Sequence, residues 1–151
     1  MKKSTIRTLG ALALAVFIIA SVLIILGSWN SILLYSMVGD FEDVVNADDS
    51  VVIIETVSAY GKLNGNGNGF NYFGAVLVKA DDTEALDAII QNLKEQFDDA
   101  DYYMQKDAFV AVKYCTHERL EYESAIGEDH YTVWFYQGSH PRTNPLDIKG
   151  Y

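Results

Sequence analysis

Residues Leu9 to Leu26 read LGALALAVFIIASVLIIL, a run of 18 in which only Gly10 and Ser21 interrupt the aliphatics. At about 1.5 Å per residue a helix of this length reaches roughly 27 Å, close to the hydrocarbon thickness of a bilayer. A helix that is apolar on every side has no face left for water. From Thr8 through Gly39 the only ionisable residue is Tyr35. The sequence therefore predicts a transmembrane signal-anchor helix over residues 9–28, preceded by a short cytoplasmic segment, 1–8.

The flanks set the orientation. Lys2, Lys3 and Arg7 precede the apolar run, and the first charges after it are Asp40, Glu42 and Asp43. Basic flanks stay on the cytoplasmic side. A single pass through the cell membrane then leaves the rest of the chain outside. Trp29 and Tyr35 lie just past the span, where amphipathic rings favour the headgroup region. A cleaved signal peptide is the rival reading. Its charged start fits, but the apolar region exceeds the usual length of about 7–15 residues, and Ile25-Leu26-Gly27 is a poor cleavage site. The only cysteine is Cys115, so no thiol is available for N-terminal lipidation and no internal disulfide can form.

Charge is segregated as well. The chain holds 11 basic and 21 acidic residues; without Lys2, Lys3 and Arg7, 8 basic against 21 acidic remain, a net −13. Such a domain is repelled by nucleic acid and by anionic headgroups and attracts basic proteins and cationic peptides.

Residues 29–50 read as a juxtamembrane linker, with 31–38 able to prolong the helix or lie along the interface. The outer domain, 51–151, opens with a β-branched run, Val51 to Tyr60, that predicts a strand. Gly61 to Gly69 contains three Asn-Gly steps, suited to positive φ. Phe70 to Lys79 is a second strand, completing a long hairpin. Asp81 with Glu84 resembles an N-terminal cap. Leu86, Ile89, Ile90, Leu93 and Phe97 then fall at steps of three and four, one apolar stripe of a helix ending near Asp98. Tyr102 to Gln105, Ala108 to Tyr114 and Tyr131 to Tyr136 predict three more strands, separated by a polar stretch at 117–129. Short turns between strands favour antiparallel pairing. The expected fold is α+β: an antiparallel sheet of about five strands, with one main helix packed on one face.

The residues offer no catalytic signature. The glycine-rich tip leads into a strand, not into the helix N-terminus that an anion site needs. The acidic pairs Asp48-Asp49, Asp81-Asp82 and Asp98-Asp99 lack a calcium-loop pattern. His117, His130 and His140 lack zinc spacing. Cys115 follows a strand-like run and reads as a buried thiol, although His117 lies close in sequence. No cofactor, metal or catalytic residue is assigned on these patterns.

Aromatics are more informative. Alternation puts Trp134 and Tyr136 on one face of the last strand, and Tyr131, Val133 and Phe135 on the other. A single helix leaves one sheet face open, so aromatics are expected there. The sequence thus favours a tethered, non-catalytic protein- or peptide-binding module, such as a sensor, a complex subunit or a surface immunity protein. Its partner would be basic. Candidate contacts are Asn64, Asn66 and Asn68 at the tip, with Tyr102, Tyr103, Trp134 and Tyr136 on the sheet. The alternative is a cell-envelope hydrolase using Glu118, Glu121, Glu123, Glu128 and Asp129 in the 117–129 loop.

Overall fold

The structure, a computed structural model, describes residues 3–61, 69–111 and 119–141. Its elements are α1 (Lys3–Gly27), α2 (Trp29–Val45), β1 (Val51–Gly61), β2 (Gly69–Ala80), α3 (Glu84–Gln96), β3 (Asp99–Met104), β4 (Phe109–Val110), β5 (Leu120–Glu121) and β6 (His130–Pro141). The class is α+β, with three helices. Four strands form one sheet in the order β1-β2-β6-β3, all antiparallel, while β4 and β5 pair separately. The sheet therefore has four strands, where about five were expected. Among the described residues the run read as a strand over 108–114 contributes the short β4, and residues 112–118 lie outside the described segments.

The larger departure is α2. Where a linker was expected, the chain stays helical to Val45. Asn30, Leu34, Phe41 and Val45 are buried along its inner side. Their steps of four, seven and four keep them on one stripe. Two helices, not one, cover this face of the sheet. Phe41 sits 4.9 Å from the Phe135 ring and 6.5 Å from Phe97, and Phe97 stacks on Phe135 at 4.2 Å. The predicted stripe of α3 joins the same core: Leu86, Ile89, Ile90, Leu93 and Phe97 are all buried. Three polar bonds fix α2 along β1 and β2. The Tyr72 hydroxyl donates to Asn30 Oδ1 at 2.9 Å, Ser31 and Tyr60 share a 3.1 Å hydroxyl bond, and Thr56 donates to Glu42.

Gly74 makes room for this core. It pairs with Phe135 across β2 and β6. A Cβ there would lie 2.3 Å from the Phe135 ring, so only glycine admits the ring at that spot. The start of α3 also differs in detail. Asp82, not Asp81, accepts from the Glu84 N–H, at 3.0 Å, and Thr83 at the cap position makes no side-chain capping bond. Helix α3 stops before Asp98, which removes the conflict between those acids and its negative end. Asp98 instead accepts from Gly138 N, at 2.8 Å. That N–H lies where the β2–β6 register shifts.

The second face of the sheet is not open. Phe73, Ala75, Leu77 and Trp134 are buried there, packed with Val110 and Tyr122 from the β4–β5 region. Leu120 and Ile126 pack against the same cluster. A loop and a two-stranded ribbon thus do what a second helix layer would do elsewhere.

The N-terminal helix stands apart from both cores. Leu14, Phe17 and Ile24 of α1 are 60%, 69% and 69% exposed. No single helix among the described residues is long and apolar enough to cross a membrane. Gly10–Ile25 and Trp29–Val45 pass that test only together, across a 47° bend. The bend falls at Gly27-Ser28, a residue pair that commonly kinks helices. The hydrogen-bond ladder carries on through it: Ser28 N donates to Ile24 O at 3.1 Å, and Ile32 N to Ser28 O at 3.0 Å.

Candidate interaction surfaces

A β-bulge organises the second face. The β1–β2 register shifts between Ile53 and Glu55, leaving Ile54 as the extra residue. One added residue reverses which side the following side chains take. Glu55 therefore leaves the helix face that Val51 and Ile53 share and reaches the opposite layer. There its carboxylate accepts from Glu123 N at 3.0 Å and Ser124 N at 2.8 Å. Burial works against its charge, but the bonds from Glu123 and Ser124 outweigh it and hold the pKa below the ordinary value.

A buried polar chain anchors the other side of this layer. Thr132 donates to Gln105 Oε1 at 2.7 Å, and Tyr122 shares a 3.2 Å hydroxyl bond with Thr132. The Thr132 proton already goes to Gln105, so Tyr122 is the donor. Gln105 Nε2 donates to the carbonyls of Asp107 and Phe109, at 2.6 and 2.8 Å. Each polar group of the Gln105 amide is thus engaged, as burial demands. Burial pushes the Tyr122 phenol well above its usual pKa. This network holds a fold together; a reactive phenol would need the opposite shift.

These contacts relocate the sequence candidates. Trp134 is only 5% exposed and stacks on Phe73 at 6.1 Å. Tyr136 donates to Asn71 Oδ1 at 2.6 Å, and the Tyr103 hydroxyl accepts from Ala111 N at 3.0 Å. Tyr102 lies on the other face, where its hydroxyl donates to Asp87 of α3 at 2.9 Å. The expected aromatic strip is therefore split between two faces and engaged in packing. Asn64, Asn66 and Asn68 lie outside the described residues.

The acids of the polar loop do not converge. Glu121 pairs with Arg119 at 3.1 Å, whose guanidinium lies 3.6 Å over the Phe109 ring. Asp129 meets Lys79 at 2.8 Å. The bond to Lys79 draws its carboxyl below the ordinary pKa, the wrong direction for a general acid. His130 Nδ1 accepts from Gly127 N at 2.8 Å, which binds that nitrogen to the loop backbone. Glu123 and Glu128 are exposed, and Glu118 lies outside the described residues. Among the described residues no three His, Cys, Asp or Glu side chains gather as metal ligands.

Open surface with a distinct character lies on α2 and α3. A groove of about 310 Å³ runs between them, lined by Asp43, Val44, Ala47, Asn92, Glu95 and Gln96. Two carboxylates and no basic group line it. The two helices carry Asp40, Glu42, Asp43, Glu84, Asp87 and Glu95 against one basic residue, Lys94. Sequence reasoning missed this surface because it treated the first half of it as a linker. A second depression, of about 430 Å³, at the end of β3 is lined by Met104, Gln105, Lys106, Ile126, Gly127 and Glu128. Its charges are mixed, and it collects no set of convergent polar groups.

No family model matches this chain, and comparison with curated proteins and with solved structures finds none similar to it.

Proposed function

We propose that this chain is a membrane-anchored, extracytoplasmic binding module whose acidic α2–α3 face receives a basic protein or peptide. The exposed aliphatic surface of α1 supports the anchor. Leu12 to Ile25 present apolar side chains all round a helix that lies outside every core cluster. Water penalises such a surface by about 25 cal/mol for each Å², and a bilayer removes the penalty. The basic residues before the apolar run of α1 and the acidic ones after it support an N-terminus inside and a domain outside.

The observation that carries the binding role is the groove between α2 and α3, with Asp43 and Glu95 on its walls and Val44 and Ala47 between. It combines a field that draws cations with some apolar surface for short-range contact. A hydrolase gains no comparable support, because the candidate acids among the described residues, Glu121, Glu123, Glu128 and Asp129, face ion pairs or solvent.

The test is capture by a soluble form beginning at Ser28. A form beginning at residue 40 would delete Asn30 and Leu34 from the packed side of α2. Wild-type protein should enrich a basic partner at low salt, and the double charge reversal D43K/E95K should lose it. Equal capture by both forms would remove the groove from the interface. Failure to enrich any basic partner at low salt would remove the binding role.

A further inference from the structure

The outer side of α2 changes character halfway along. In its first two turns that side carries Trp29, Ile32 and Tyr35, which are 39%, 51% and 83% exposed. Steps of three hold these side chains on one side of a helix. Beyond Gly39 the same side carries Asp40 and Asp43, both exposed. The opposite side is occupied throughout by the packing of Asn30, Leu34, Phe41 and Val45 on the domain.

We propose that the first two turns of α2 lie in the headgroup region of the bilayer, with Trp29, Ile32 and Tyr35 turned to lipid. The acidic half of the helix stands clear of the surface. This rests on the anchor reading of α1 and adds a second membrane contact to it. Continuity commits the patch to lipid. The exposed aliphatics of α1 lead into it with no charged residue between Thr8 and Gly39. Tryptophan and tyrosine present an apolar ring with a polar tip, the chemistry that favours the interface. Charge sets the limit of the contact. With a net −13 beyond the N-terminal segment, an acidic surface is repelled by anionic headgroups, and an uncharged patch is the part that approaches.

The geometry then orients the domain. The 47° bend at Gly27-Ser28 tilts α2 away from the axis of α1. The bonds Tyr72–Asn30 and Tyr60–Ser31 fasten the lipid-side end of α2 to the end of the sheet where β1 finishes and β2 begins. The hairpin end of the sheet therefore sits nearest the bilayer. Val51, Ala80 and His130 mark the end that faces away, since they close the other side of the same register. The acidic groove is left accessible to a partner arriving from the aqueous side.

Depth-dependent quenching tests this on the full chain. The protein is placed in phosphatidylcholine–phosphatidylglycerol vesicles whose acyl chains are brominated near the top or near the end. Its only tryptophans are Trp29 and Trp134. In a W29F/W134F background, Y35W reports on α2 and F17W on α1. The Y35W emission should fall at least about twofold with the shallow bromines and less with the deep ones, and F17W should respond more to the deep set. If F17W is quenched and Y35W is quenched by neither, the α2 contact is wrong and the anchor stands. If neither variant is quenched, the anchor fails and the α2 contact fails with it. Should W134F disturb the fold, C115S/Y35C carrying an environment-sensitive dye gives the same reading without it. Blue-shifted emission on adding vesicles supports the contact, and unchanged emission overturns it.

Discussion

Replacing Phe41 by alanine separates a docked α2 from a linker. The Phe41 side chain is fully buried between the Phe97 and Phe135 rings, at 6.5 and 4.9 Å. Removing a ring from such a site costs about 3–5 kcal/mol, through lost transfer energy and the cavity left behind. A domain of this size has roughly 5–15 kcal/mol of stability in all, so F41A should be close to unfolding at physiological temperature. At about 2–8 °C per kcal/mol the midpoint should fall by roughly 6–40 °C. The assay is urea and thermal denaturation of the form beginning at Ser28 in a W29F background, followed by the fluorescence of buried Trp134. Y35A is the control: that side chain is 83% exposed, and its loss should change stability by less than about 0.5 kcal/mol. If F41A and Y35A behave alike, α2 is not part of the core, and the groove beside it is not a formed surface.

Further outcomes follow from the other contacts. Q105L leaves the carbonyls of Asp107 and Phe109 without their amide partner, at about 1–3 kcal/mol for each group left unsatisfied, while the Thr132 hydroxyl keeps its bond with Tyr122. Hydrogen exchange should then show the Tyr122 amide losing protection while β6 keeps its own. G74A should destabilise by about 1–3 kcal/mol, because the added methyl displaces the Phe135 ring; an unchanged urea midpoint would show that the ring has room to shift. The folded pKa of Glu55 lies below its ordinary 4.5, so its contribution is complete above pH 4.5 and is lost as pH falls through the lower folded value. E55Q should therefore flatten the acid limb of the stability profile, and parallel profiles for both proteins would show that the Glu123 and Ser124 bonds contribute nothing.

Much of the architecture is legible in the residues. The stripe from Leu86 to Phe97 identifies α3 because its steps of three and four stand out against a polar background. The strands β1, β2 and β6 are dense in β-branched and aromatic residues. The facing of Trp134 against Phe135 follows from alternation alone. The helix α2 was harder to see for a physical reason. Its inner stripe from Leu34 through Phe41 to Val45 begins inside the uncharged run and ends among Asp40, Glu42 and Asp43, so two composition signals mask one period. The covered second face was invisible because it depends on non-local events. A bulge at Ile54 turns Glu55 toward Glu123 and Ser124, some 68 residues away in sequence. Gln105 meets Thr132 across 27 residues. Neither partnership leaves a local pattern. With one helix assumed, the aromatics around Trp134 looked like an open surface; with the ribbon in place they are packing, and the exposed character moves to α2 and α3.

The membrane topology is tested most directly by labelling one exposed position in intact cells. In a C115S background, K94C places a single thiol on the exposed side of α3. A membrane-impermeant maleimide should label it fully without permeabilisation, while the protein stays with the membrane fraction through an alkaline carbonate wash. Labelling that appears only after lysis, or release of the protein by the wash, would contradict a chain anchored by its N-terminal helix with its domain outside.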